Sequence, residues 1–128
     1  TSIDYRFRHI GDRSSLLDYE GSWKRAAVTS ATSGVRTTST QAGATVRTTF
    51  TGRGIALVMP RSAVRGRVTV YLDGVKVATV DTHASTVQAR RVVWAKRWTV
   101  SASHRIVVRV SGTSGRPTVS LDGLIVTN

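Results

Sequence analysis

The chain contains no cysteine. Disulfide frameworks, thiolate metal sites and cysteine nucleophiles are therefore excluded. Acidic residues are scarce, with seven Asp and Glu against nineteen Lys and Arg. Calcium takes about six to eight oxygen ligands, usually several of them carboxylates. Asp18 and Glu20, with Asp122 near the C-terminus, are the acids available for a structural calcium ion; no other cofactor is expected. The three histidines, His9, His83 and His104, are far apart and lack the spacing of a His-Glu-x-x-His zinc site. No apolar run approaches the ~20 residues of a membrane helix, so no membrane insertion is expected. An initiator Met and a signal-like apolar segment are also missing. Thr1 therefore reads as a boundary within a longer protein.

What is present begins with charge. The 128 residues fit one domain and carry a formal net charge of +12 at pH 7. Such a field favours polyanions: nucleic acid, acidic glycans or cell-wall polymers. Only Lys24, Lys76 and Lys96 are lysines. Arginine dominance of this kind also follows from GC-rich coding, so the charge serves solubility first.

The second feature is alternation. In "GATVRTTFTG", Ala44, Val46, Thr48 and Phe50 share one face, and Thr45, Arg47, Thr49 and Thr51 the other. Period two with β-branched residues predicts a half-buried strand. In "RVTVYLDGVKVATV", Val68, Val70 and Leu72 oppose Arg67, Thr69 and Tyr71. Asp73-Gly74 then predicts a type I′ hairpin turn, which needs positive φ at both central residues. The phrase Leu-Asp-Gly recurs at Leu121–Gly123, where a bulge and a turn fit equally well. Both aspartates are explained by turn chemistry, the side chain bonding its own backbone. Further strands are expected over 54–59, 90–94 and 104–110. "SSLLDYEGSW" has room for one helical turn. Eight or more short strands separated by Gly and Pro-Arg-Ser clusters predict an all-β, antiparallel sandwich or barrel.

In order, the chain reads "YEGSW", "GATVRTTFTGRGIALVM", "VTVYLDGVKVATVD", "VVWAKRW", "SASHRIVVRVSGT" and "VSLDGLIV". This set resembles the galactose-binding-like jelly-roll domains appended to secreted actinobacterial glycosidases, esterases and peptidases. Two positions depart from the pattern: Ser103 replaces a glycine, and Trp98 a leucine. The resemblance spans roughly Tyr19 to Val126. It implies a jelly-roll β-sandwich over 19–128 behind a lead-in segment 1–18. It also implies a secreted, extracellular accessory module that binds carbohydrate and targets an attached catalytic or adhesive domain.

Catalysis is not expected. Asp81 and His83 share a strand face, but no Gly-x-Ser-x-Gly elbow accompanies them. "GDRSS" (11–15) carries Arg13 where an esterase would carry its serine. Sugar binding draws on aromatic rings beside a few placed polar groups. The candidate ligand-binding residues are Tyr71, Trp23, Tyr19, Arg67, Asp81 and His83. Tyr71 alternates onto the polar face with Arg67 and Thr69, which suits an acidic polysaccharide. Trp94 and Trp98 fall at core positions of the pattern, and Trp23 closes one end of the sandwich. "RRVVWAKRW" interleaves bases with aromatics, as single-stranded nucleic-acid binders do, but no specific nucleic-acid signature is present. The competing readings are a structural spacer or capping sandwich without a ligand, and a non-specific polyanion binder.

Overall fold

The computed structural model describes residues 7–11, 14–27 and 35–127. Within them the chain forms ten strands. These are β1 (Phe7–Gly11), β2 (Asp18–Glu20), β3 (Lys24–Ala27), β4 (Val35–Ser39), β5 (Thr45–Arg61), β6 (Arg67–Leu72), β7 (Val75–Asp81), β8 (Gln88–Val110), β9 (Val119–Leu121) and β10 (Gly123–Thr127). One sheet runs β1-β10-β5-β8-β6-β7, with β2 also on β5; a smaller sheet runs β3-β4-β9. All strand pairs are antiparallel.

The expected alternation is present. Ala44, Val46, Thr48 and Phe50 are buried, as are Val68, Val70 and Leu72. All of these but Thr48 join Ile106, Val108 and Val110 of β8 and Val119 and Leu121 of β9 in one core cluster. The sheet extends into the segment read as a lead-in: Phe7–Gly11 pairs with β10, and Ile10 and Leu17 lie in the core cluster. The short turn at Ser14–Leu17 is closed by the Leu17 N–H donating to Ser14 O at 3.1 Å.

The two Leu-Asp-Gly phrases do different work. Asp73 (φ 51°) and Gly74 (φ 83°) form the hairpin between β6 and β7, with the positive φ at both central residues that a type I′ turn requires. The self-bonding turn expected from the sequence is not what Asp73 makes: its bonds go to β8. Its Oδ1 accepts from the Arg105 N–H at 2.9 Å, while its N–H donates to Arg105 O at 2.8 Å. The aspartate thus extends the β6–β8 ladder by one further rung. Asp122 sits at neither a turn nor a bulge. It lies between β9 in the small sheet and β10 in the large one, fully buried, its N–H donating to Val58 O at 3.0 Å. Gly123 follows because a Cβ there would meet Ile10 O at 2.4 Å. The second phrase is a crossing between sheets.

Two strands are much longer than their motifs suggest. β5 has 17 residues and β8 has 23. They pair from Thr45–Arg109 to Arg61–Gln88. Gly52 faces Ala102 and Gly54 faces Arg97, so residues 98–101 stand opposite Arg53 alone. This expansion divides β8 into two halves. The C-terminal half also pairs with β6. Among the described residues, the stretch Gln88–Arg97 has strand partners only on its β5 side.

Candidate functional site

The six residues singled out in the sequence fall in three places. Tyr19 and Trp23 pack edge to face, with ring centroids 5.1 Å apart. Both lie against the core cluster, and Trp23 Nε1 donates to Glu20 O at 3.0 Å. Arg47 on the neighbouring strand holds Asp18 through Nε at 3.0 Å and also bonds Glu20. The Asp18 hydrogen bond, with the charges of both acids, raises the Arg47 pKa above its ordinary value.

Arg67, Asp81 and His83 do come together, at one end of the β6–β7 hairpin. Asp81 Oδ1 accepts from Arg116 Nη1 at 3.1 Å and from the His83 backbone N–H at 2.9 Å. Arg67 Nε lies 3.4 Å from Asp81 Oδ2. Arg116 also donates to Arg65 O at 2.8 Å. The Arg116 hydrogen bond holds the Asp81 carboxyl below the usual carboxylate range, against a smaller opposing effect of burial. This is a clasp across three segments. His83 reaches Asp81 through its backbone, so the pair lacks the imidazole–carboxylate contact that a base–orienter pair uses.

Tyr71 is the third place. It is half-buried on the outward face of β6, beside Val107 of β8 and Lys76 of β7. Thr69 shares its face and pairs with Arg109. At ~3.3 Å per residue along the strand, Arg67 is roughly 13 Å from Tyr71. A groove of about 300 Å³ lies along this face, lined by Ala42, Gly43, Thr69, Arg109, Val110 and Ser111.

His104 is packed and hydrogen-bonded. Its ring stacks on Trp98, centroids 4.0 Å apart and planes 9° apart, with Phe50 at 5.8 Å. Nδ1 lies 2.8 Å from Asp73 Oδ2. An ionised carboxylate only accepts, so Nδ1 carries the proton. Nε2 is buried without a hydrogen-bond partner among the described residues. The Asp73 carboxyl is held below its ordinary pKa, first by this histidine and then by the Arg105 N–H.

The stretch Ala95–Arg97, read from sequence as bases interleaved with aromatics, borders two grooves. One groove of about 460 Å³ is lined by His9, Gly54, Ile55, Ala56, Ala95, Lys96, Arg97, Ile125 and Thr127. Its floor follows from register. His9, Ile125, Ala56 and Ala95 are successive partners across four strands. Ile55, Leu57 and Met59 point into the core, so Gly54 and Ala56 face outward. A second groove of about 540 Å³ lies on the other side of the same segment, lined by Val77, Trp94, Ala95, Lys96 and Arg97. The signal was already present in the small outward residues of "GIALVM" and the cations of "RRVVWAKRW". Asp12 and Arg13 of the "GDRSS" stretch lie outside the described residues. Among the described residues, no three His, Cys, Asp or Glu gather as a potential metal site.

No family model matches the chain, and no curated protein matches it. Solved structures do. A family two carbohydrate esterase from Cellvibrio japonicus superimposes with a TM-score of 0.72 at 16% identity, over 98% of this chain and 34% of the esterase. A two-domain esterase active on acetylated mannans gives 0.71 at 12% identity, over 96% and 36%. The CBM36-1 domain of a multidomain xylanase from the hindgut metagenome of Trinervitermes trinervoides matches end to end, over 98% of this chain and 97% of that one, with a TM-score of 0.62 at 11% identity. The chain spans about a third of either esterase. Two antiparallel sheets, a shared core and these likenesses together show that the fold is an antiparallel β-sandwich of the jelly-roll type.

Proposed function

We propose that this chain is a non-catalytic accessory module that binds carbohydrate, an acidic polysaccharide in the finer reading. It works outside the cell and holds an attached catalytic or adhesive domain on its target. The observation that carries the reading is Tyr71, a half-exposed ring on an outward sheet face beside Thr69 and Arg109. A flat ring offers an apolar platform to a sugar, and the neighbouring hydroxyl and guanidinium groups take its polar substituents. The end-to-end likeness to the CBM36-1 domain of a xylanase supports a self-contained module. The clasp role of Asp81 speaks against hydrolysis.

A glycan-array screen at low and physiological salt tests this. The expected result is binding that survives physiological salt and falls about tenfold or more in Tyr71→Ala, as for loss of an aromatic anchor. Absence of glycan binding at either salt would overturn the reading in favour of a spacer.

A further inference from the structure

The segment Trp94–Arg97 separates two grooves and lines both of them through Ala95, Lys96 and Arg97. We infer that these grooves form one track over the N-terminal half of β8, running from its β5 side past Lys96 and Arg97, and that an anionic polysaccharide lies in it with its acidic groups on those two residues. This inference rests on the carbohydrate-binding reading and places a second site away from Tyr71.

Charge is the first argument. No Asp or Glu lines either groove, and none occurs anywhere in Gln88–Val110. Lys96 and Arg97 are exposed. Among the described residues neither has an acidic partner, whereas Arg47, Arg67 and Arg116 are all paired with acids. Two cations at one rim without an acidic partner among the described residues attract an anion; cations already paired with acids do so far less.

Shape is the second. The floor of the first groove is Gly54, Ala56, Ala95 and Ile125. These apolar groups, three of them Gly or Ala, form a bed suited to the C–H face of a pyranose. Single-stranded nucleic acid needs free aromatic faces on which to stack its bases. Here Trp94 is the one tryptophan, tyrosine or phenylalanine that lines either groove, and it is partly buried. Trp98 is stacked on His104, with Lys96 Nζ over it at 5.7 Å from the centroid. Trp94 packs against the core cluster. Cations at the rim and small apolar side chains beneath favour an acidic sugar chain over an oligonucleotide.

The test measures binding of polygalacturonate, neutral dextran and an oligo-dT of matched charge at physiological salt. The proteins are wild type, Lys96→Ala/Arg97→Ala, Tyr71→Ala and the charge-matched control Lys24→Ala/Arg61→Ala. The double variant at 96 and 97 should weaken polygalacturonate binding about tenfold or more, through loss of two charge-assisted contacts. Its melting temperature should stay unchanged, and the control should bind within about twofold of wild type. An equal loss in both double variants would overturn the site and leave only the overall field. Oligo-dT binding as tight as polygalacturonate would overturn the glycan as occupant. Retained binding to dextran or another neutral glycan, with none to polygalacturonate, would sink this inference while the carbohydrate-binding reading stands. Absence of binding to any polysaccharide would remove both.

Discussion

The two halves of β8 share one strand and one partner, yet they behave as different materials. Ile106–Val110 alternates between buried and more exposed positions and is paired on both sides, by β5 and β6. Gln88–Arg97 contains no fully buried residue and pairs only with β5 among the described residues. Val92 is 55% exposed there, while Ile106 is 1% exposed. The residues differ little in β propensity. The difference is coverage: the C-terminal half buries Ile106, Val108 and Val110 in the core, whereas the N-terminal half only part-buries Val93 and Trp94 against it and exposes Arg90, Arg91, Lys96 and Arg97. Charged residues on a strand with a free side also discourage pairing with another chain. Arg90, at φ 51°, adds a local irregularity where the β5–β8 register shifts. One half is anchored in the core, and the other presents most of its side chains to solvent.

The largest expected effect breaks the buried half. Ile106→Ala should lower unfolding stability by about 2–5 kcal/mol, from lost burial and the cavity left behind. Urea denaturation reads this directly. Val92→Ala in the exposed half should change stability by no more than about 0.5 kcal/mol. Equal losses would erase the distinction. Next comes the join. Trp98→Ala removes the ring stacked on His104 at the expansion between the halves. A cost of about 2 kcal/mol is expected, below the ~3–5 kcal/mol of a fully buried ring.

The third test uses pH. The folded Asp73 carboxyl has a pKa below its unfolded value, because His104 and the Arg105 N–H favour its ionised form. Its contribution is therefore fully present above the ordinary carboxylate pKa and is lost as pH falls through the lowered folded value. Melting temperatures measured downward from about pH 5 should fall for the wild type more steeply than for Asp73→Asn. Parallel curves would remove Asp73 as a pH-dependent link between the hairpin tip and β8. The smallest expected effect on stability belongs to Lys96→Ala/Arg97→Ala, within about 0.5 kcal/mol by the same denaturation assay. That value separates a loss of binding from a loss of fold.

Much of the fold was legible in period-two patterning. The buried sets Ala44–Phe50 and Val68–Leu72, the Asp73-Gly74 hairpin and the outward Tyr71 all followed from residue order. Burial of alternate β-branched side chains is a local rule, and a two-residue turn is a local constraint. The candidate site was less legible. Arg67, Asp81 and His83 do meet, but Arg116, far along the chain, makes them a clasp. Lys96 and Arg97 were visible as charges, yet their availability depends on which cations find acids across the fold.

By itself, the sequence determined the strand class, the faces of the main strands and the position of the first hairpin, because these depend on neighbours one to four residues away. Tertiary structure alone decided that Leu121–Gly123 carries the chain between sheets. It also decided that Asp73 bonds β8 instead of its own turn, and that Gln88–Arg97 has no second strand partner among the described residues. Each outcome is set by hydrogen-bond and packing partners tens of residues distant. A side chain's role as core, clasp or free cation is fixed by what folding places beside it.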